Sequence, residues 1–149
     1  MIKRIGLCAL ALVTCILSIQ AQTQVIAHRG FWKTEGSAQN SITALEKAAE
    51  AKLYGSEFDV LMTVDGKMVV NHDNTIEGMI IPETSYKQLK KLKIKNGEKL
   101  PTLKNYLKKG KKLDIQLILE AKPLPTKEME DQAIATIVKM VKKMGLEKQ

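Results

Sequence analysis

Two histidines and one arginine stand beside short apolar runs that resemble β-strands. His28 and Arg29 directly follow residues 25–27, and Arg29 is the only arginine after Arg4. Imidazoles titrate near neutral pH and act as general acid or general base. A guanidinium matches two oxygens of a phosphate with its planar fork. These residue types, at the end of a strand, indicate acid-base chemistry on a phosphate-like anion.

Two carboxylates occupy alternate positions of a second apolar run, residues 57–62. In a strand, Glu57 and Asp59 point to the same face and lie about 7 Å apart. Paired carboxylates without a cation repel each other and are costly to desolvate, and oxygen-rich sites suit Mg²⁺ or Ca²⁺. For this pair taken alone, a solvated strand face is the alternative.

A hairpin brings the second histidine toward these carboxylates. Asp65-Gly66 is a two-residue turn signal between residues 57–62 and 67–71. A two-residue turn there pairs Asp59 with His72 on one face, about 5 Å apart.

A third apolar run, residues 113–119, ends at Glu120, and Lys122 lies on the same strand face as Glu120. The carboxyl ends of parallel strands gather at one rim of a sheet or barrel. We therefore expect one site to contain His28, Arg29, Glu57, Asp59, His72, Glu120 and Lys122.

Strands and helices alternate along the chain, which predicts an α/β fold with a largely parallel sheet. Asn40 or Ser41 caps a first helix that Gly55 ends, and Thr84 or Ser85 begins a short one. A third helix begins at residues 101–103 and ends at Gly110, and a fourth covers residues 127–144. The apolar face of the fourth helix comprises Met129, Ala133, Ile134, Ile137, Val138 and Val141.

Residues 1–21 have the layout of a secretory signal peptide: a basic start, an apolar run and a small residue before a polar change. We expect cleavage after Ala21, residues 22–149 as one domain, and export to the periplasm or the extracellular space. An uncleaved anchor helix and a lipoprotein attached through Cys15 are the alternatives, although the run is short for a stable membrane span. Both cysteines lie in this segment.

The chain of 149 residues is 44% hydrophobic and 27% charged, which excludes a disordered or disulfide-dense class. Its net charge is +8, and residues 87–112 hold 11 lysines against one acid, Glu98. A solvated lysine surface or the steering of anionic substrates accounts for this segment. Without arginine or a recognisable motif there, we expect no nucleic-acid partner.

Taken together, the motifs resemble the glycerophosphodiester phosphodiesterase family. The matching segments, in family order, are His28-Arg29-Gly30, Gln39-Asn40-Ser41, Glu57-Phe58-Asp59-Val60, Thr63-Val64-Asp65-Gly66, Val69-Val70-Asn71-His72-Asp73, Leu100-Pro101-Thr102-Leu103 and Leu119-Glu120-Ala121-Lys122.

This resemblance implies a TIM-type (β/α)₈ barrel that hydrolyses glycerophosphodiesters to glycerol 3-phosphate and an alcohol. It implies Ca²⁺ or Mg²⁺ held by Glu57, Asp59 and Glu120. It further implies His28 and His72 as the catalytic acid/base pair, and Arg29 and Lys122 as the phosphate-binding residues.

The chain departs from the family in two respects. Gln39 stands where the family usually has Glu, which removes a charge near the site. A (β/α)₈ barrel needs about 250 residues, so we expect a truncated chain that supplies roughly the first half of the barrel. Such an open half-barrel exposes edge strands and Ile134, Ile137 and Val141, which predicts self-association.

Two other functions fit the sequence. A half-barrel remnant could bind anions or a partner without turnover. A phosphodiesterase similar to phosphatidylinositol-specific phospholipase C would keep the chemistry and change the substrate.

Overall fold

The computed structural model describes residues 23–149, so the predicted signal peptide lies outside the described residues. No helix among these residues has the length and apolarity needed to cross a membrane. The strands are β1 (Ile26–Ala27), β2 (Gly55–Met62), β3 (Met68–Val70), β4 (Thr75–Ile76), β5 (Met79–Ile80) and β6 (Gln116–Ala121). The helices are α1 (Ile42–Glu50), α2 (Tyr86–Leu89), α3 (Leu103–Leu113) and α4 (Lys127–Met144), and a 3₁₀ turn covers Ile81–Glu83.

Strand β2 is the centre of the main sheet. On one edge β6 runs parallel to β2 from Gly55↔Gln116 to Val60↔Ala121. On the other edge, β1 pairs in parallel with the start of β2 and β3 pairs antiparallel with its end. Strands β4 and β5 form a separate hairpin. The expected α/β fold with parallel β1, β2 and β6 is therefore confirmed.

Helices α1, α3 and α4 contribute to the main hydrophobic core with the strands of this sheet. The Phe58 and Tyr106 rings stack at 4.4 Å between centroids, and both side chains are fully buried. Burial of each such aromatic ring contributes about 2 kcal/mol or more to folding. This packing fixes β2, the strand that carries Glu57 and Asp59.

Gly55 and Gly110 are predicted to end helices, but neither does so in the structure. Each instead lies where another side chain packs closely against the backbone. Helix α1 ends at Glu50, and Gly55 opens β2, where a Cβ would lie 2.5 Å from Ile118 Cδ1. Gly110 lies inside α3 and faces Leu117, whose Cδ1 would be 2.6 Å from a Cβ. Helix α3 instead ends at Asp114 in the left-handed conformation.

The hairpin register also differs by one residue from the expected pairing of Asp59 with His72. Val60 pairs with Val70, and the Asn71 N–H donates to the Asp59 carbonyl at 3.1 Å. The loop has three residues rather than two, because Gly66, at φ +75°, closes a turn by donating to the Thr63 carbonyl. His72 consequently lies beyond the end of β3.

Helix α4 buries a narrower face than its sequence pattern predicts. Ala133 and Ile137 are buried in the core, and Val141 packs partly against it. Ile134 and Val138 remain 49% and 45% exposed. Among the apolar residues that an open half-barrel was expected to expose, Ile137 is therefore buried and Ile134 is exposed.

Glu98 holds the N-terminus of α1. Its carboxylate accepts hydrogen bonds from the backbone N–H groups of Ile42 (3.0 Å) and Thr43 (3.1 Å) and from the Asn96 side chain (2.6 Å). Burial raises the pKa of Glu98, but the hydrogen bonds from Thr43, Asn96 and Ile42 together outweigh burial and hold the pKa below its ordinary value. The single acid of the lysine-rich segment thus serves as a helix anchor.

Replacing Glu98 by glutamine is expected to lower the free energy of unfolding by about 1 kcal/mol at neutral pH. Because the folded-state pKa lies below the ordinary 4.5, the charge stabilises the fold above that pH and the benefit is lost as pH falls through the lower folded value. Urea unfolding at neutral and at acid pH measures both effects, with Glu147→Gln as an exposed control. A destabilisation that does not change with pH would contradict this role for the charge.

Candidate functional site

The candidate site lies at the carboxyl ends of the three parallel strands. Strand β2 carries Glu57 and Asp59, and β6 carries Glu120 next to its last residue, where the parallel register places it directly beside Asp59. His28 and Arg29 follow β1, whose pairing with β2 brings them to the same end. Strand alternation and parallel register thus position the candidate residues together.

The three carboxylates form a compact cluster. Glu57, Asp59 and Glu120 each offer one oxygen, and these oxygens lie within 4.8 Å of one another. Among the described residues, Glu57 Oε1 and Asp59 Oδ1 are buried without a hydrogen bond, and of the two only Asp59 Oδ1 has a cationic group nearby, the Lys122 ammonium at 3.5 Å. A buried carboxylate oxygen without a donor is costly unless a cation satisfies it. The three carboxylates and the unpaired Glu57 Oε1 fit a divalent cation, which prefers oxygen ligands.

Burial raises the pKa of Glu57; a hydrogen bond from the Arg29 backbone N–H opposes this effect, and the Asp59 charge adds to it. That N–H donates to Glu57 Oε2 at 2.7 Å. The Lys122 ammonium, which donates to Glu120 Oε1 at 2.8 Å, lowers the pKa of Glu120. Burial, together with the neighbouring Asp59 charge, therefore disfavours the charge on Glu57, and a nearby cation would favour that charge.

Two cationic side chains flank the fully buried Asp59. Arg29 Nε lies 3.8 Å from Asp59 Oδ2, and Lys122 Nζ lies 3.5 Å from Asp59 Oδ1. The Arg29 Nη1 group donates to Gln39 Oε1 at 3.0 Å. Gln39 is neutral, so it orients the guanidinium without cancelling its charge. Both predicted phosphate-binding residues thus border the acidic cluster.

The two histidines lie on different segments of the chain: His28 follows β1, and His72 lies beyond the end of β3. His28 Nε2 lies 3.9 Å from Glu57 Oε2, and its side chain is 68% exposed. His72 Nδ1 lies 2.8 Å from Asp73 Oδ1. Since a carboxylate only accepts, Nδ1–H donates to Asp73, and Nε2 is the His72 nitrogen left for proton transfer. His72 follows Asn71, whose backbone N–H donates to the Asp59 carbonyl, so its backbone lies beside the strand that carries Glu57 and Asp59.

Asn40 has a role that the sequence did not reveal. It was expected as one of two possible helix caps, but the cap of α1 is Ser41. Asn40 is 2% exposed, adopts φ +61°, and donates through Nδ2 to Asp59 Oδ2 at 2.9 Å. Its Oδ1 accepts from the Asp59 backbone N–H at 3.1 Å. Asn40 therefore holds Asp59 through both its carboxylate and its backbone N–H. This role could not be predicted from local sequence, because the two residues meet only in the folded chain.

Comparison with known protein families gives one match over most of the chain. A model described as the Glycerophosphoryl diester phosphodiesterase family matches residues 28–148. A curated relative, the glycerophosphodiester phosphodiesterase of Caldanaerobacter subterraneus subsp. tengcongensis, is 37% identical over 94 residues, which are 55% of this chain and 38% of the relative.

Solved structures show the same similarity. A glycerophosphodiester phosphodiesterase from Parabacteroides distasonis is 56% identical with a TM-score of 0.81, over 83% of this chain and 52% of that protein. A phosphodiesterase from Oleispira antarctica, in complex with the product sn-glycerol-3-phosphate, is 27% identical with a TM-score of 0.71, over 81% of this chain and 52% of that protein. The chain thus spans about half the length of these structures.

Proposed function

This chain belongs to the glycerophosphoryl diester phosphodiesterase family, and we propose that the protein hydrolyses glycerophosphodiesters to glycerol 3-phosphate and an alcohol. Its described part is the N-terminal portion of a TIM-type barrel, to which β1, β2 and β6 contribute parallel strands. The observation that carries the proposal is the cluster of Glu57, Asp59 and Glu120, flanked by cations and imidazoles.

Glu57, Asp59 and Glu120 would hold the divalent cation, Ca²⁺ or Mg²⁺. The compact cluster of three carboxylates and the unpaired buried oxygen Glu57 Oε1 support this assignment. When bound, such a cation supplies charge neutralisation for a phosphate group at the site. Asn40 keeps the Asp59 carboxylate in place by hydrogen bonds at its side chain and its backbone.

Arg29 and Lys122 would bind the phosphate of the substrate. Arg29 carries a guanidinium that Gln39 holds through Nη1, and Lys122 carries an ammonium oriented by Glu120. Both charges stand beside the cluster, where the negative charge that develops on the phosphate oxygens needs fixed positive groups.

His28 and His72 would move the protons of the reaction. One imidazole removes the proton of the attacking hydroxyl or water, and the other protonates the oxygen of the departing alcohol. For His72 the reacting atom is Nε2, because Asp73 occupies Nδ1.

We further infer export and self-association. The basic and apolar layout of residues 1–21 supports export to the periplasm or the extracellular space. Among the described strands, β6 pairs only with β2, and Ile134 and Val138 are exposed on α4. An unpaired strand edge beside exposed apolar side chains favours association between copies.

A chimera tests the proposed activity. Residues 23–149 replace the matching segment of the Parabacteroides distasonis enzyme, whose remaining part completes the barrel. We expect release of glycerol 3-phosphate from glycerophosphocholine, loss of activity with chelator, and recovery on adding Ca²⁺ or Mg²⁺. A chimera that folds but does not hydrolyse, beside an active parent enzyme, would contradict the proposal and favour a non-catalytic binding module.

A further inference from the structure

A cavity of about 530 Å³ opens beside the candidate site. Gln39, Asn40 and His72 form the wall that it shares with the site. Most of the remaining wall comes from the segment between β3 and α3, and includes Ile76, Glu77, Lys93, Ile94, Lys95 and Gly97. Gln39, which accepts a hydrogen bond from the Arg29 guanidinium, and His72 thus belong both to the candidate site and to the lining of this cavity.

Two lysines of this wall carry charge that no acid neutralises. Neither Lys93 nor Lys95 has a carboxylate within 4.0 Å among residues 23–149, where the ion pairs involve other lysines. Of the acids on the wall, Asp73 is hydrogen-bonded to His72, which leaves Glu77 at the β4–β5 turn. The two ammonium groups are thus available to a ligand.

The backbone that carries these lysines is fixed in place. The Ile94 N–H donates to the Glu98 carbonyl, and the Gly97 N–H donates to the Ile94 carbonyl, both at 2.8 Å. Asn96 Nδ2 donates to the Gly36 carbonyl at 3.2 Å, which ties the turn to the loop after β1. Glu98 joins the same turn to α1. A ligand that enters the cavity therefore meets a wall whose backbone is preorganised, so the ordering cost of binding falls mainly on the two lysine side chains.

We propose that this cavity receives the alcohol portion of the substrate and that Lys93 and Lys95 select alcohols bearing a carboxylate or a phosphate. The inference rests on the proposed function, since it takes the phosphate to lie at Arg29 and Lys122. Ammonium groups in a partly enclosed cavity form charge-assisted hydrogen bonds with such anions.

Isothermal titration calorimetry tests this selection. Matched pairs of ligands are titrated, in the presence of Ca²⁺, into a variant of this protein that carries His28→Ala. The exposed His28 lies outside the cavity lining, and its loss prevents consumption of the ligand. Glycerophosphoserine differs from glycerophosphoethanolamine by one carboxylate, and glycerophosphoinositol 4-phosphate differs from glycerophosphoinositol by one phosphate. We expect the more anionic member of at least one pair to bind about tenfold more tightly. The pair that responds identifies the preferred anion.

Two double variants complete the experiment. Lys93→Ala with Lys95→Ala should abolish the preference, whereas Lys87→Ala with Lys91→Ala, on the same lysine-rich segment but outside the cavity lining, should retain it. Glycerol 3-phosphate, the reference ligand, should bind equally to all three proteins. Equal affinity within both pairs, or a preference that survives the first double variant, would overturn the inference alone. Failure of glycerol 3-phosphate to bind would count against the proposed function and the inference together.

Discussion

Replacing Asp59 by asparagine is expected to lower the affinity for Ca²⁺ or Mg²⁺ by about 100-fold or more. Loss of a partner in the second layer of a metal site already costs about 10- to 100-fold, and Asp59 offers its oxygen directly to the cluster. The variant also leaves Arg29 and Lys122 without the carboxylate between them, so two positive charges then oppose the entry of a cation. Calorimetric titration of the chain with each metal measures the change.

Asp73→Asn provides the matched control for this effect. It makes the same chemical change at an acid that lies outside the cluster and contacts His72. Its metal affinity should stay within about twofold of that of the unsubstituted chain, because exposed charges act weakly at a distance. Equal metal affinity in the Asp59 variant and the unsubstituted chain would contradict the assignment of the cluster.

The second large effect is expected at the histidines. In the chimera, His28→Ala and His72→Ala should each reduce kcat by about 10²-fold or more, because positioned proton transfer contributes about 10²- to 10⁴-fold. The affinity for glycerol 3-phosphate should change little, since neither imidazole belongs to the proposed phosphate or metal contacts. Rapid-quench measurement of kcat, beside a binding titration, separates these two quantities.

Lys87→Ala serves as the control for the histidine variants, because this exposed side chain lies away from the cluster and outside the cavity lining. Turnover close to that of the unsubstituted chimera in both histidine variants would refute their role in proton transfer. A loss confined to one variant would leave that imidazole alone as the acid or the base.

The location of the cluster could be predicted from the sequence because it depends on local regularities. The two-residue period of a strand places Glu57 and Asp59 on one face, and parallel pairing gathers strand ends at one rim. The structure brings these residues together with Glu120 as expected. Ser41 and Ser85, each one of two residues expected to begin a helix, and the start of α3 at residues 101–103 also followed from local sequence.

Features set by distant partners were missed or misread. The roles of Asn40 and Glu98 depend on residues 19 and 56 positions away in the chain. Gly55 and Gly110 resemble helix ends in the sequence, but the approach of Ile118 and Leu117 explains both. The predicted hairpin register was wrong by one residue, because an Asp-Gly pair is compatible with a three-residue turn as well as with a two-residue turn.

The expectation of roughly half a barrel is confirmed by the length of the match, and the strands divide that length unevenly. The chain spans about half of the similar solved structures, yet its described part supplies three parallel strands of an eight-stranded architecture. The difference arises because residues 71–102, between β3 and α3, build the β4–β5 hairpin, α2 and a second hydrophobic cluster. This segment also forms the lysine-bearing wall of the cavity.

The most direct test of the proposed cation site is a crystal structure of the chain grown with Mn²⁺ and measured near the manganese absorption edge. We expect one strong anomalous peak among oxygens of Glu57, Asp59 and Glu120, with Asn40 still hydrogen-bonded to Asp59. A well-ordered cluster with no peak, in which Arg29 and Lys122 alone satisfy the carboxylates, would contradict it.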